Sequence, residues 1–347
     1  MSGKIEIGNK VIGKGEPVFV IAEIGSNFNT LDEALKSVDV AIDCGVDAIK
    51  FQTFRADTVA KRDIHFPSET AGGTDQYELF KKYELSVEWH REIFKYARQK
   101  GIIAFSTPGH QTDVALLEKI RVPLYKVGSD DCTNLPFLKY IAEIGKPMLV
   151  STGMANLSEV VEAVETVLST GNKQLVILHT VSNYPIKDIG QVNLKAIQTL
   201  RHVFNNEILV GYSDHTTSLT IPVAAVTLGA CVYEKHFTID KKLDAPDAFL
   251  SADPTEMKAI VESIRELERA LGNGVKQPAA SEKDMRQDTQ KSIIARESIK
   301  RGERITPDKV IIKRPAHGIA PKYLDIVVGR KATVDIEEDE IITWDKV

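Results

Sequence analysis

The chain has little sulfur chemistry to offer. Its 347 residues include three cysteines, Cys44, Cys132 and Cys231. None stands in a CxxC pair, so the sequence holds neither a disulfide framework nor a thiolate zinc ribbon, and reduced thiols are expected. Cys44 and Cys231 lie in apolar contexts that suit core packing. No apolar run reaches transmembrane length, and the opening MSGKIEIGNK contains no apolar secretory segment, so a cytoplasmic protein is expected. A basic excess is also missing. With a net charge of −5, bulk electrostatics offers no attraction to nucleic acid or an anionic membrane surface. Neither an internal repeat nor the GxGxxG turn of dinucleotide-binding sheets is present, which weighs against a doubly wound fold.

What is present is alternation. Apolar runs of strand length fall at 18–23, 47–52, 102–106, 124–127, 148–151, 175–178, 208–212 and 231–233. Segments with helical periodicity follow them, at 31–44, 87–99, 112–119, 136–144, 157–169, 194–204, 218–228 and 254–271. Eight strand–helix units predict an α/β protein built as a closed (β/α)8 TIM barrel. A hairpin at 4–14, turning at Gly8-Asn9, is placed to plug its bottom. The connection 53–77, with Pro67 and Gly72-Gly73, is long enough to be functional. Residues 1–272 are read as hairpin plus barrel, 273–291 as a polar linker, and 292–347 as a small β-rich module. In that module, β-like runs are expected at 293–294, 310–312, 326–328 and 341–343.

Barrel enzymes work at the carboxyl ends of their strands, and every such end here is polar. The stretch 207–247 is the most suggestive. Its two apolar runs end in Ser213-Asp214-His215 and Glu234-Lys235-His236. The helical segment between them makes a right-handed βαβ unit, so the strands are parallel near neighbours. Two imidazoles then emerge at one end of the sheet, where they suit a divalent metal; two unrelated strand-capping histidines are the plainer alternative. Lys50 and Lys126 each interrupt an apolar run, a costly position unless an anion meets the amine. With hydroxyls from Thr107, Ser129 and Ser213 they suit a phosphate or phosphate–carboxylate ligand. Pairing with a neighbouring acid, or a Schiff-base lysine, stays open. Glu23, Asp131 and Asp247 are available for proton transfer or substrate hydroxyls. His179 also ends a strand and is read as a core or supporting residue.

Taken in order, Glu23-Ile-Gly, Lys50-Phe-Gln52, Ser106-Thr-Pro108, Tyr125-Lys-Val-Gly-Ser129, Ser151-Thr-Gly-Met154, Gly211-Tyr-Ser-Asp-His215 and Glu234-Lys-His-Phe237 resemble the sialic acid synthase family. That family includes N-acetylneuraminate, legionaminate and pseudaminate synthases. The tail Lys313-Arg-Pro-Ala-His-Gly318 is similar to its C-terminal antifreeze-like (SAF) domain. The resemblance implies a transferase that condenses phosphoenolpyruvate with an open-chain N-acetylated aminosugar to a nine-carbon 2-keto acid and phosphate. It implies that His215 and His236 bind a divalent ion, Mn2+ or else Mg2+ or Co2+. It implies that Lys50, Thr107, Lys126, Ser129, Ser182, Ser213 and His215 hold phosphoenolpyruvate, with Glu23 and His215 catalytic. Gln52, Asp131, Tyr184 and Asp247 would face the sugar, and Arg314 would reach it from the SAF domain of a partner chain, which implies a domain-swapped homodimer.

The chain departs from the family pattern at Asn27-Phe28, Asp130-Asp131, Thr180-Val181, Ser182 and Asp244-Ala-Pro-Asp247. These departures are expected to cluster at sugar-facing positions. A synthase acting on another, phosphorylated aldose, a lysine aldolase and a non-catalytic carbohydrate-binding homologue are the rival readings. The SAF-like tail weighs against the first two, and the intact Glu23, lysines and histidines against the third.

Overall fold

The structure is a computed structural model that describes residues 3–66 and 73–347; Pro67 and Gly72 of the long connection lie outside them. Two compact units emerge, Met1–Gly272 and Asn273–Val347. No described helix is long and apolar enough to cross a membrane.

The first unit opens with an antiparallel hairpin, β1 (Lys4–Ile7) and β2 (Lys10–Gly13), turning on Gly8 at a φ of 60°. Eight parallel strands follow: β3 (Phe19–Gly25), β4 (Ala48–Thr53), β5 (Ile103–Pro108), β6 (Tyr125–Val127), β7 (Met148–Ser151), β8 (Leu175–His179), β9 (Leu209–Asp214) and β10 (Val232–His236). They close in the order β10-β3-β4-β5-β6-β7-β8-β9. This is the expected TIM barrel, with β9 and β10 parallel neighbours.

Strand alternation sorts the side chains into two cores. Inside the lower barrel, Phe19, Ile21, Phe105, Leu149 and Val232 pack with Ile5, Ile7 and Ile12 of the hairpin, which therefore does plug one end. Val20, Ile49, Tyr125, Val150, Tyr212 and Tyr233 instead join the helices in the outer core. Caps set where those helices begin. Thr30 with Glu33, Asn156 with Glu159 and Asp253 with Glu256 form capping boxes at the starts of Leu31–Asp43, Leu157–Ser169 and Pro254–Leu271.

In the second unit, β11 (Ser292–Ala295) pairs antiparallel with β12 (Val310–Lys313) over a core that includes Ile293, Ile305, Val327 and Ile342. Two expectations differ here. The run at 326–328 is not a strand: a turn starting at Pro321 leads into the short helix Leu324–Val327, which buries Val327 from a helical face. The polar stretch expected as a linker carries a helix, Lys283–Thr289, with no buried residue. With no side chain to bury, it shows no apolar periodicity to detect.

Candidate active site

On β9 and β10 alternate side chains point into the barrel mouth. Ser213 and Glu234 are register partners, and the Ser213 hydroxyl donates to Glu234 Oε1 at 2.8 Å. One step beyond Ser213 and Glu234 on the same face come His215 and His236, their ring centroids 5.4 Å apart. The Tyr184 ring lies tilted against His215 with centroids 4.2 Å apart and meets His236 edge-on at 5.8 Å.

A buried charge network spans the floor of this mouth. Lys50 on β4 is ion-paired with Glu23 on β3, lies 4.0 Å from Glu234 Oε2, and donates to Thr107 Oγ1 at 3.1 Å. Lys126 on β6 lies 3.5 Å from Glu234 Oε1. Gln52 Nε2 donates to Glu23 Oε1 at 3.1 Å. Glu23, Lys50, Lys126 and Glu234 are 1%, 3%, 4% and 4% exposed. Both lysines thus have an acid of the chain itself as counterion.

The surroundings drive the two carboxyls apart. Burial pushes Glu23 up to about 7, against the pull of Lys50 and with the nearby Glu234 charge adding to the rise. Burial also opposes the Glu234 charge, but Lys126, Lys50 and the Ser213 hydroxyl hold its carboxyl below the ordinary value. Two nearby buried carboxyls displaced in opposite directions are a recurrent acid–base arrangement. Burial works against Lys50 as well, yet Glu23 and Glu234 outweigh it and raise its pKa. Burial wins at Lys126, which is lowered.

The opposite wall is built of hydroxyls around one glycine. Ser129 Oγ accepts the Gly153 amide at 3.1 Å. A Cβ on Gly153 would stand 2.2 Å from Ser182 Oγ and 2.7 Å from Ser129 Oγ, so only glycine lets both hydroxyls converge there.

Charge state and hydrogen bonding both suit the imidazole pair to a metal. His215 Nδ1 sits 2.7 Å from the Val181 carbonyl. That contact makes Nδ1 the protonated nitrogen and leaves the Nε2 lone pair free. Burial lowers His215 to about 4 and His236 well below the ordinary range, so both rings are neutral, the form that ligates. His236 Nδ1 is buried without a hydrogen-bond partner, as are Ser182 Oγ and Glu234 Oε2. Such orphaned atoms are unusual in a folded interior and mark groups kept for a ligand. Among the described residues no group of three or more His, Cys, Asp or Glu side chains is placed to hold a metal. The chain therefore offers an ion the imidazole pair, and other donors would complete its shell.

The remaining candidates are spread more widely. Asp247 Oδ2 lies 3.8 Å from His236 Nδ1, and burial raises its carboxyl to about 6. Asp131 is half-buried in the turn after β6 and accepts from Asn134 Nδ2 at 2.8 Å. Arg314 is exposed in the second unit. His179 Nε2 is held by the Val192 carbonyl at 2.8 Å and its ring lies against Tyr212, a supporting position. Not every departure from the family pattern faces the mouth. Phe28 is buried in the outer core, 6.2 Å from Phe51 and 6.3 Å from Trp89. Two residues escaped the sequence reading, Glu234 and Gly153. Both stand within motifs quoted above, but no role was read for either; beyond the motifs the signals were a charge within an apolar run and a small residue just past a strand end.

Catalysis in this fold belongs to the strand ends, and these define a barrel enzyme. Comparison with known proteins identifies which. The NeuB family model matches residues 37–276 and the SAF domain model residues 290–347. The chain belongs to the NeuB family and is an enzyme of the synthase, transferase-type class. It is 45% identical to an uncharacterised protein of Methanocaldococcus jannaschii, covering 99% of this chain and 98% of that one. It is 39% identical to the N,N'-diacetyllegionaminic acid synthase of Campylobacter jejuni, covering 93% and 98%. The structure of an N-acetylneuraminic acid synthetase from Leptospira borgpetersenii, solved with citrate, matches at a TM-score of 0.74 and 34% identity, covering 82% of this chain and 95% of that one.

The charge network makes a prediction about stability. Glu234→Ala leaves two buried ammonium groups sharing one carboxyl and should cost about 3–5 kcal/mol in urea unfolding. Adding Lys126→Met removes one of the stranded charges and should recover part of that loss. If the two single changes and the double change prove additive, Glu234 and Lys126 are not coupled.

Proposed function

We propose that the chain condenses phosphoenolpyruvate with an open-chain N-acetylated aminosugar, either N-acetylmannosamine or a 2,4-diacetamido-6-deoxy sugar. The products are a nine-carbon, sialic-acid-like 2-keto acid and inorganic phosphate. The observation that carries this reading is the pairing of two buried lysines with an imidazole pair across one barrel mouth. The synthases among its relatives support the same chemistry.

Lys50 and Lys126, with the hydroxyls of Thr107, Ser129, Ser182 and Ser213 and with His215, hold the carboxylate and phosphate of phosphoenolpyruvate. Charge-assisted hydrogen bonds at a desolvated site suit so concentrated an anion. Gln52, Asp131, Tyr184 and Asp247 face the sugar. His215 and His236 would hold the divalent ion, Mn2+ or alternatively Mg2+ or Co2+. Bound there, it would supply Lewis-acid polarisation of the acceptor aldehyde.

The C2–C3 π pair of phosphoenolpyruvate forms the new C–C bond at the aldehyde carbon, whose oxygen takes up a proton from solvent. C2 is left cationic, beside the Glu23–Glu234 carboxyls. Water adds at C2 while Glu23 accepts its proton, a task suited to a carboxyl raised to about 7. The C2–O bond to phosphate then breaks, its electron pair leaving with the phosphate, which takes up the proton of the C2 hydroxyl, and the 2-keto group remains.

The working enzyme on this reading is a domain-swapped homodimer, with Arg314 of the partner subunit on the acetamido group. Its support is an apolar rim on the strand-end loops: Met154, Ile189, Leu219 and Phe249 are 74%, 56%, 50% and 57% exposed. Exposed apolar residues collected around a polar mouth suit a covering surface.

Phosphate release from phosphoenolpyruvate should require one of these acceptors, stop after full chelation, and return on adding Mn2+. Release that survives complete metal removal contradicts the imidazole assignment, and a borohydride-trapped pyruvate adduct on Lys50 or Lys126 contradicts the reaction type. Mixing inactive Glu23→Ala with inactive Arg314→Ala should restore up to about a quarter of wild-type activity, the share of intact composite sites expected when subunits exchange at random in equal mixtures. Absence of any recovery after verified subunit exchange contradicts the swapped dimer.

A further inference from the structure

The outward face of β9 and β10 carries a second set of buried polar groups, which the proposed reaction does not use. Asp214 and Lys235 are register partners and are 1% and 4% exposed. The Lys235 amine donates to the Asp214 carbonyl at 3.3 Å and also to the Thr216 carbonyl. Those two carbonyls flank His215. The Asp214 carboxylate accepts the Thr216 amide at 2.8 Å and the Tyr233 hydroxyl at 2.8 Å. The peptide units on both sides of His215 are thereby fixed by side chains just where β9 ends and ladder hydrogen bonding stops.

A buried lysine is an expensive way to fill this position. An apolar side chain would pack against the helices without the several kcal/mol of ammonium desolvation. Backbone carbonyls that have left the sheet need donors, however, and one ammonium has enough donors to serve both.

We propose that Lys235 and Asp214 form a backbone clamp that sets the position of His215, making them positioning residues for the imidazole pair. The inference rests on the role given to His215 above. It resembles the outer hydrogen bonds that orient metal-binding histidines, with the difference that the peptide is held rather than the ring.

Lys235→Met keeps the unbranched stem and removes the donors. Mn2+ binding to the substrate-free protein, measured by calorimetry, should weaken about 10–100-fold. Amide hydrogen exchange at residues 213–217 should accelerate in the metal-free protein, while cooperative thermal unfolding persists. Lys235→Arg, which keeps a charged donor, should recover part of both effects. Tyr233→Phe should shift both in the same direction by less, and it carries the test should Lys235→Met fail to fold. Wild-type Mn2+ affinity together with wild-type exchange in Lys235→Met overturns the clamp. Should the wild-type protein bind no divalent ion, the metal assignment fails instead, and the exchange rates alone decide the clamp.

Discussion

The mouth of the barrel depends on balancing buried charge. Two lysines and two glutamates sit together at 4% exposure or less, and an unpaired charge there would cost several kcal/mol. The balance is struck across strands. Glu23 comes from β3, Lys50 from β4, Thr107 from β5, Lys126 from β6, Ser213 from β9 and Glu234 from β10, and the polar contacts among them tie six strand ends together. The loops after the other two strands join at the margin, through the Gly153 amide on Ser129 and the Val181 carbonyl on His215. Closing the barrel therefore also brings the site together.

The same balance bears on how an anionic substrate is received. On the proposed reading, phosphoenolpyruvate competes with the glutamates for Lys50 and Lys126. A Glu23 carboxyl raised to about 7 can hold a proton near neutral pH while the anion binds, so Lys50 can exchange partners without stranding a charge, and the carboxyl gives that proton up again before it serves as the base for water. Glu234 keeps its charge between both lysines and holds the network together meanwhile. Preorganisation of this kind stores electrostatic work in the fold before the reaction begins.

Much of this was legible in the sequence. The barrel followed from eight apolar runs alternating with helical segments, and the site from what stood at their ends, because a parallel strand delivers its last residues to one face of the sheet. Glu234 was harder to see, since a charge beside a lysine and a histidine does not declare which face of the strand it occupies. Phe28 raised the same difficulty in reverse: a position beside the site in sequence proved to be outer core. The helix Lys283–Thr289 buries nothing, and the run at 326–328 buries Val327 from one short helix, so neither carries a period long enough to read. The clamp on His215 was invisible because it joins side chains to carbonyls, and carbonyls have no signature in sequence.

The way phosphate leaves tests the proposed reaction most directly. Phosphoenolpyruvate carrying 18O in its bridging C2–O–P position, turned over with an N-acetylated aminosugar in unlabelled water, should deliver the label to inorganic phosphate through C–O cleavage. Label retained in the organic product would mean that the P–O bond breaks instead, and would contradict both the addition of water at C2 and the role assigned to Glu23.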